Sequence, residues 1–459
     1  MSIRPVRTRA ADRDYRRAVA VSPSSTAGVA DNRSLDVNLQ PGPARLLAEL
    51  GAAGSWRTLS EHRARYAPPP AVASRPLTSL IDAVERAGLR GRGGAGFPTA
   101  RKLASVAAGN GRRIVVANGT EGEPASGKDR ILLTCMPHLV IDGAQIAAAA
   151  VGADEVILCV DRTRTGSVAA LQRALDERSR QEPSSCRVRV ASSPPRYVAG
   201  EETALVNWLN GSSSRPTLAP PRPFERGVGR RPTLVQNVET LAHITQIAAF
   251  GPDWFRQVGE PDDPGTSLFT VTGTAARPCV LEASTGTLGH DILGDAGGTG
   301  AVLVGGFFGT WVGCRSISAM PLSRRALGEI GASRGAGVLV ALPEYACGLA
   351  ETASVLSWYA GESAGQCGPC AFGLPDLARL TAEIANGVGS PGDVARLTRW
   401  ASDIEGRGAC RHPDGAVRLL RSALSVFADD LQDHVGGRPC QGSTGPRVLQ
   451  VPASTQEWR

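Results

Sequence analysis

Gly88-Leu89-Arg90-Gly91-Arg92-Gly93-Gly94-Ala95-Gly96-Phe97-Pro98-Thr99-Ala100-Arg101-Lys102 sets five glycines, three arginines and a lysine within fifteen residues. Glycine admits positive φ and lets backbone N–H groups crowd against a ligand, while Arg92 and Lys102 supply cationic charge, so the stretch reads as an anion-holding loop. The apolar helix pattern Leu80 to Ala87 delivers it, and Phe97-Pro98 stiffens it. It is neither a P-loop nor a good G-x-G-x-x-G dinucleotide fingerprint, since no strand directly precedes it. Of 50 Lys+Arg residues only Lys102 and Lys128 are lysine, and both fall near this loop, where a compact ammonium differs from a planar guanidinium.

At 459 residues and 42% hydrophobic composition, two to four domains with a sizeable core are expected. No apolar run reaches the roughly 18 to 20 residues of a membrane helix; Ala301 to Cys314 stops short and is glycine-rich. A net charge of +7 is compatible with nucleic acid, but 5% aromatic content without a basic stacking cluster argues against it. An acidic protein partner would use the same field. Ten cysteines without a secretory signal point to a reducing, cytoplasmic setting in which close cysteines hold metal. Arg16-Arg17 lacks the apolar stretch of a twin-arginine export signal.

Along the chain, residues 1–35 are Arg-, Ser- and Asp-rich without periodicity and are expected to be disordered. Pro43 to Arg65 is helix-like, followed by the Pro68-Pro69-Pro70 linker. A buried strand Arg113 to Ala117 leads into Asn118-Gly119-Thr120-Glu121-Gly122-Glu123-Pro124, polar groups at the strand end where open α/β sheets bind ligands. Alternating helix and strand patterns continue through Ala191, which predicts a layered α/β domain over 36–252. Glu201-Glu202 opens a helix whose dipole favours carboxylates, and Gln236-Asn237 precedes another. Short strands Ser267 to Gly273, Cys279 to Glu282 and Ala301 to Val304 predict a small β-rich domain over 253–335. A helical domain over 336–436 ends in one helix, Pro413 to Val435, stopped by Gly436-Gly437 and followed by a loose tail, 437–459.

Cys367-Gly368-Pro369-Cys370 with Cys410 supplies three thiolates in a metal- or cluster-binding spacing. A thioredoxin-type pair competes, but no strand precedes it. The other cysteines read as small buried hydrophobes.

Together, G-L-R-G-R-G-G-A-G-F-P-T, N-G-T-E-G-E-P-A-S-G-K-D-R, G-E-E-T-A-L, V-Q-N-V-E-T-L, and E-S-A-G-Q-C-G-P-C with I-E-G-R-G-A-C, in this order from about Leu80 to Val435, resemble the NADH-oxidising flavoprotein subunit of respiratory complex I, found also in diaphorase parts of hydrogenases and formate dehydrogenases. The resemblance implies an α/β fold: a layered FMN-binding domain, a β-grasp domain of the SLBB type and a C-terminal helical bundle carrying a [4Fe-4S] cluster. It implies FMN contacts at Gly91, Arg92, Gly93, Lys102, Asn118, Glu121, Gly200, Glu201, Glu202 and Asn237, and NADH contacts at Phe97 and Glu123, with Glu121 and Glu202 as the expected catalytic groups. Cys367, Cys370 and Cys410 are the implied cluster ligands, and a ferredoxin-like or other electron-transfer protein the implied partner. The chain departs from the pattern at Ala364, where the family has the first cluster cysteine, leaving Ser363, Glu362, His412 or Cys440 as substitutes. It departs also at Ser105, Gly127, Ala219 and Arg222 in the nucleotide pocket, and at Thr120, where the family has an aspartate. The expected activity is transfer of electrons from a nicotinamide or protein donor through flavin and cluster to a partner. The rival is a scaffold that keeps the fold without turnover, for which the retained Arg92, Lys102 and Glu201-Glu202 have no use. A zinc-bearing nucleic-acid protein would need four ligands and a stacking surface.

Overall fold

The computed structural model describes residues 36–37, 45–48, 50, 57–73, 76–182, 184–274, 278–295, 297–453 and 457–459. The expected disordered segment 1–35 lies outside them.

Helices α1 (Thr78–Ala87) and α2 (Thr99–Ala107) flank the glycine loop. Then follow β1 (Arg113–Gly119), α3 (Lys128–Cys135), α4 (Pro137–Val151), β2 (Ala153–Asp161), α5 (Thr165–Gln181), β3 (Arg187–Ser193), α6 (Glu202–Leu209), β4 (Thr233–Asn237) and α7 (Val238–Phe250). The four strands form a parallel sheet in the order β3-β2-β1-β4. Helical layers on both faces explain why β1 is apolar and buried from Ile114 to Ala117. Its side chains alternate between two cores: Val115 and Ala117 pack with Val156, Leu158 and Leu234, while Ile114 and Val116 pack with Ile157, Leu205 and Val235. Helices α4 and α7 cross at Gly143, where any Cβ would sit 1.9 Å from the Leu241 carbonyl oxygen. On α4, the fully buried Asp142 accepts from His62 Nε2 at 2.7 Å, Arg63 Nη1 at 2.6 Å and Arg178 Nη2 at 2.7 Å. These donors hold its carboxyl well below the usual range although burial opposes them. That cluster ties the helix Leu59–Arg63 to the domain.

A second, mixed sheet contains β5 (Thr266–Gly273), β6 (Cys279–Ser284), β7 (Thr299–Val304), β8 (Thr310–Gly313) and β9 (Val338–Pro343), with Asp36–Val37 at its edge, in the order Asp36–Val37, β6, β5, β9, β7, β8. Strand β9 lies at its centre, so the sheet runs past the boundary expected at 335. Its period-two pattern faces two different partners. Val338, Val340 and Leu342 meet the helical bundle, and Leu339 and Ala341 meet Ile292, Ile317 and Leu327.

The bundle comprises α8 (Gly348–Glu362), α9 (Leu374–Ala385), α10 (Pro391–Ile404), α11 (His412–Val426) and α12 (Ala428–Val435). The single helix expected from Pro413 to Val435 is two, broken at Phe427 (φ −106°, ψ 35°). The Phe427 ring is wedged against Gly348, where a Cβ would come within 2.1 Å of it, and lies edge-on to Trp311 at 5.3 Å. The tail is also more ordered than expected: Leu449 is buried, the N–H groups of Val448 and Leu449 each donate to the Glu351 carboxylate at 2.9 Å, and Arg196 lies over the Trp458 ring at 4.1 Å.

Candidate functional site

From β1 the chain runs outward through β2 and β3, then returns to lay β4 on the other side of β1. A crevice opens at the carboxyl ends of strands where such an order reverses. Asn118 and Asn237 face each other there, paired in register at the ends of β1 and β4. Asn118 Nδ2 donates to the Gly200 carbonyl at 2.9 Å, and its Oδ1 accepts from Thr120 Oγ1 at 2.9 Å. Thr120, standing where the family has an aspartate, therefore fixes the Asn118 amide. Asn237 caps α7, accepting from Glu239 N–H at 3.0 Å, and donates to Asp129 at 2.8 Å. Glu201 caps α6 through Thr203 and Ala204 N–H at 2.9 and 3.0 Å. Glu121, at φ 44°, takes Ser126 Oγ and Asp129 N–H at 2.8 Å and Arg130 N–H at 3.0 Å, closing the start of α3. The N-terminal ends of α3, α6 and α7 thus gather at one crevice, each contributing a positive dipole end.

The glycine loop closes over it. Gly91 N–H donates to Phe97 O at 2.9 Å and Thr99 N–H to Leu89 O at 3.0 Å, pinching the loop at its base. Gly94 (φ 113°) and Gly96 (φ 60°) adopt backbone geometry that side-chain-bearing residues disfavour, and a Cβ on Gly96 would project into open space. Gly93 lies against Asn237, its Cβ position 3.1 Å from the Asn237 Cβ. Lys102, on α2, pairs with Glu202 at 2.9 Å while both keep some exposure. The ring of Phe97 is 52% exposed.

Arg92 does not take the place expected of it. Its guanidinium turns away from the loop into the interior, donating to Thr266 O at 3.1 Å and Pro264 O at 3.3 Å, with Asp263 at 3.6 Å. Burial, with Arg334 adding to it, pulls it down to about 10. Its side chain braces the glycine loop against the second sheet, and its backbone N–H is itself taken by Thr240 Oγ1 at 2.8 Å. Glu121 is engaged likewise. With three donors on its carboxylate it holds the start of α3 in position. The amides of Asn118 and Asn237 are similarly engaged in shaping the crevice.

Lys128 and Glu239 gain an importance that spacing did not reveal. Lys128 Nζ sits between Asp129 at 2.6 Å and Glu239 at 2.9 Å, all buried. Burial raises Asp129 while Lys128 holds Glu239 low, so the ammonium is the charge that organises the crevice floor. That one of two lysines falls here is the only hint in the residue order. Glu123 is buried too, accepting from Phe307 N–H at 3.0 Å and Ala125 N–H at 3.3 Å. Burial pushes its carboxyl up to about 7, with the Glu121 charge adding.

Cys367 and Cys370 sit at a π-helical turn, Pro369–Gly373, leading into α9, and Cys410 just before α11. The thiols are neighbours: burial raises Cys370 most, with Cys367 and Cys410 adding. Cys410 is raised by burial first and then by the charges of Glu201 and Cys367. Of the substitutes for a cysteine at Ala364, Glu362 is committed to Tyr197 N–H at 2.9 Å and Arg196 at 3.4 Å, and Cys440 lies with Cys347 and His434 instead. His412 is buried, its Nε2 donating to Tyr359 O at 2.9 Å and its Nδ1 lacking a partner. Ser363, directly after α8, is half-buried.

Comparison with known proteins agrees with this geometry. The Nuo51 FMN-binding domain matches residues 84–246, and the NADH-ubiquinone oxidoreductase-F iron-sulfur binding region matches residues 350–434. The F subunit of NADH-quinone oxidoreductase in Streptomyces coelicolor is 32% identical over 383 residues, 79% of this chain and 84% of that protein. Its Aquifex aeolicus counterpart is 31% identical over 368 residues, 77% of this chain and 85% of that protein. Among solved structures, NAD+-reducing [NiFe]-hydrogenase in the H2-reduced state superposes with a TM-score of 0.72 at 32% identity over 78% of this chain. The chain spans 62% of that hydrogenase chain's length.

Proposed function

Because the chain belongs to the family of the NADH-quinone oxidoreductase F subunit, whose members bind FMN and iron–sulfur, we propose that it takes electrons from NADH at the β1–β4 crevice and hands them through Cys367, Cys370 and Cys410 to a partner protein. The adjacency of the two centres, with Tyr197, on the turn that ends at Gly200 beside the crevice, centred 5.7 Å from His412, two residues after Cys410, is the observation that carries this reading. FMN, when bound, supplies two-electron acceptance and one-electron release. The residues fit it. The open backbone of Gly94 and Gly96 gives an aromatic ring system room, three helix ends favour its phosphate, and Lys102 is a half-buried cation beside them, with Glu202 holding its ammonium in place. Phe97, exposed on the same loop, offers a stacking face to a nicotinamide nucleotide. Cys367, Cys370 and Cys410 would supply three of the four thiolates of a cubane.

Among the described residues no single helix is long and apolar enough to cross a membrane. The partner we propose is a ferredoxin-like electron-transfer protein. Phe372, 74% exposed on the turn that carries Cys370, gives it an apolar contact beside the thiols.

Donor affinity is expected to be low. Ser105, Ala219 and Arg222 are exposed and Gly127 donates to Thr270 Oγ1 at 3.1 Å, so none offers an aromatic face. Each missing stack forfeits about 0.5–1.5 kcal/mol, and two or three weaken binding by about one to three orders of magnitude. Anaerobic titration of the FMN- and iron-loaded chain tests both claims. NADH should bleach the flavin band only well above stoichiometric amounts. Stoichiometric bleaching at micromolar NADH would overturn the low affinity. No bleaching by NADH at any concentration, with dithionite still effective, would overturn NADH as donor, and reduction by NADPH alone would assign the pocket to the phosphorylated nucleotide, with the exposed Arg222 the cation proposed for its phosphate.

A further inference from the structure

The structure assigns a second metal site, away from the crevice and the cysteine triad: we propose that Cys347, His434 and Cys440 bind one thiophilic divalent ion, zinc by preference. Cys347 caps α8, His434 lies in the last turn of α12, and Cys440 follows in the tail. Their ligand atoms all lie within 4.8 Å of one another. Zinc–sulfur and zinc–nitrogen bonds of about 2.3 and about 2.0 Å, at a tetrahedral angle, separate sulfur from nitrogen by about 3.6 Å. Cys347 Sγ and His434 Nε2 are 3.8 Å apart.

The imidazole is already in the tautomer that a metal requires. The Ile384 carbonyl can only accept, so at 3.3 Å His434 Nδ1 carries the proton and donates to it. Nε2 is consequently bare, and the Cys440 N–H reaches it at 3.1 Å, as a lone pair permits. A carbonyl oriented on the far nitrogen is the usual outer support of a ligating histidine. An ion would displace the Cys440 N–H from Nε2, and that exchange is the one rearrangement the site needs. Cys347 Sγ accepts the Ala350 N–H at 3.4 Å at the start of the fifteen-residue helix α8, a contact that favours thiolate. Two thiolates and a dication sum to zero, so the buried Cys347 and His434 would enclose no net charge. Cys440 is half-buried, which leaves the fourth position open toward solvent.

Two sulfurs and one imidazole select zinc over the oxygen-preferring cations. Binding releases the two thiol protons and forms two Zn–S bonds and one Zn–N bond, with no change of oxidation state. The ion would fasten three separate segments, the α8 start, the α12 end and the tail.

The test uses the full chain, purified under argon with its flavin and iron and dialysed against zinc buffered by nitrilotriacetate. Zinc and iron are measured together by elemental mass spectrometry. One zinc per chain is expected in the wild type, with Cys440→Ser retaining at least tenfold less at the same free zinc and the same iron content. Because Cys440 is half-buried, this variant is expected to fold. Alkylation gives an independent readout: N-ethylmaleimide should label Cys440 at least tenfold more slowly with zinc than after chelation. Unchanged zinc retention in Cys440→Ser, or equal labelling with and without zinc, overturns the proposal. So does zinc that is lost from Cys367→Ser but not from Cys440→Ser, which places it at the triad. A Cys347–Cys440 disulfide in unreduced peptides of the argon-purified chain overturns it as well, by assigning the pair to each other.

Discussion

Replacing Glu123 by glutamine should flatten part of the pH dependence of stability. The carboxyl is raised from 4.5 to about 7, chiefly by burial and further by the Glu121 charge, although the Phe307, Ala125 and Phe308 N–H groups favour its anion. The folded protein thus keeps a proton that the unfolded chain surrenders. Below about pH 4.5 both states hold it and the group is neutral to stability. As pH rises through the window from 4.5 to about 7 the unfolded state is progressively favoured, and the loss is complete above it. At about 1.4 kcal/mol per unit, a shift of this size costs roughly 3 kcal/mol by pH 8. A chain of 459 residues has an unfolding entropy of about 1 kcal/mol per kelvin, so Tm should fall by about 3 °C across the window on this account alone. Glutamine cannot ionise, and its NH2 end, set against an N–H donor while its carbonyl oxygen still accepts, adds a penalty of about 1 kcal/mol that does not vary with pH. Other carboxylates titrate alike in both proteins. The difference in Tm between Glu123→Gln and wild type, measured on flavin-free protein by circular dichroism from pH 4.5 to 8.5, should therefore move in favour of the variant by about 3 °C. A difference that stays constant within about 1 °C would refute the reasoning.

The two cations of the glycine loop should separate cleanly. Arg92→Met breaks a buried ion pair and is expected to cost about 3–5 kcal/mol of stability, measured by urea unfolding. Lys102→Met should leave stability nearly unchanged yet release FMN tenfold or more readily on dialysis, a charge-assisted hydrogen bond to a phosphate contributing about 1.5–3 kcal/mol. Equal flavin loss in both variants would contradict this division. At the triad, Ala364→Cys should raise the iron retained after exposure to air and suppress the three-iron paramagnetic signal expected when one iron lacks a thiolate. If iron retention and that signal are unaltered, a side chain already present in the wild type, and not the introduced thiol, completes the set.

Much of this architecture was readable from residue order. The apolar run of β1, the alternation through β3 and the polar strand end at Asn118 point to a parallel sheet with a crevice, because local period and strand-end chemistry need no distant partner. Arg92 and Lys102 could not be told apart that way. What distinguishes them is Asp263 on a remote loop, which a reading of charge and spacing near the glycines does not include. The break at Phe427 was hidden because the apolar spacing continues across it, whereas its cause is a ring filling the space left by Gly348. Glu121 and Glu201 looked alike as ligand contacts implied by the resemblance, and only their hydrogen-bond partners show each holding the start of a helix. Cys440 was invisible as a partner of His434 and Cys347 because three separate elements must fold before the atoms meet.

The rings of Tyr197, Phe308, Trp358, Tyr359 and His412 form one interlocked group, with Tyr197 centred 5.1 Å from Trp358, 5.6 Å from Tyr359 and 5.7 Å from His412. Tyr197 comes from the loop that ends at Gly200, Trp358 and Tyr359 from α8, Phe308 from the β7–β8 turn and His412 from α11. A crevice and a cysteine cluster built on separable modules could drift apart with each breath of the chain. Here the segments that build them share a single knot of aromatic contact, so the spacing an electron must cross behaves as a rigid length, not as a fluctuating one. Melting in a calorimeter should accordingly register the sheet with the crevice and the helical bundle as one cooperative heat-absorption peak.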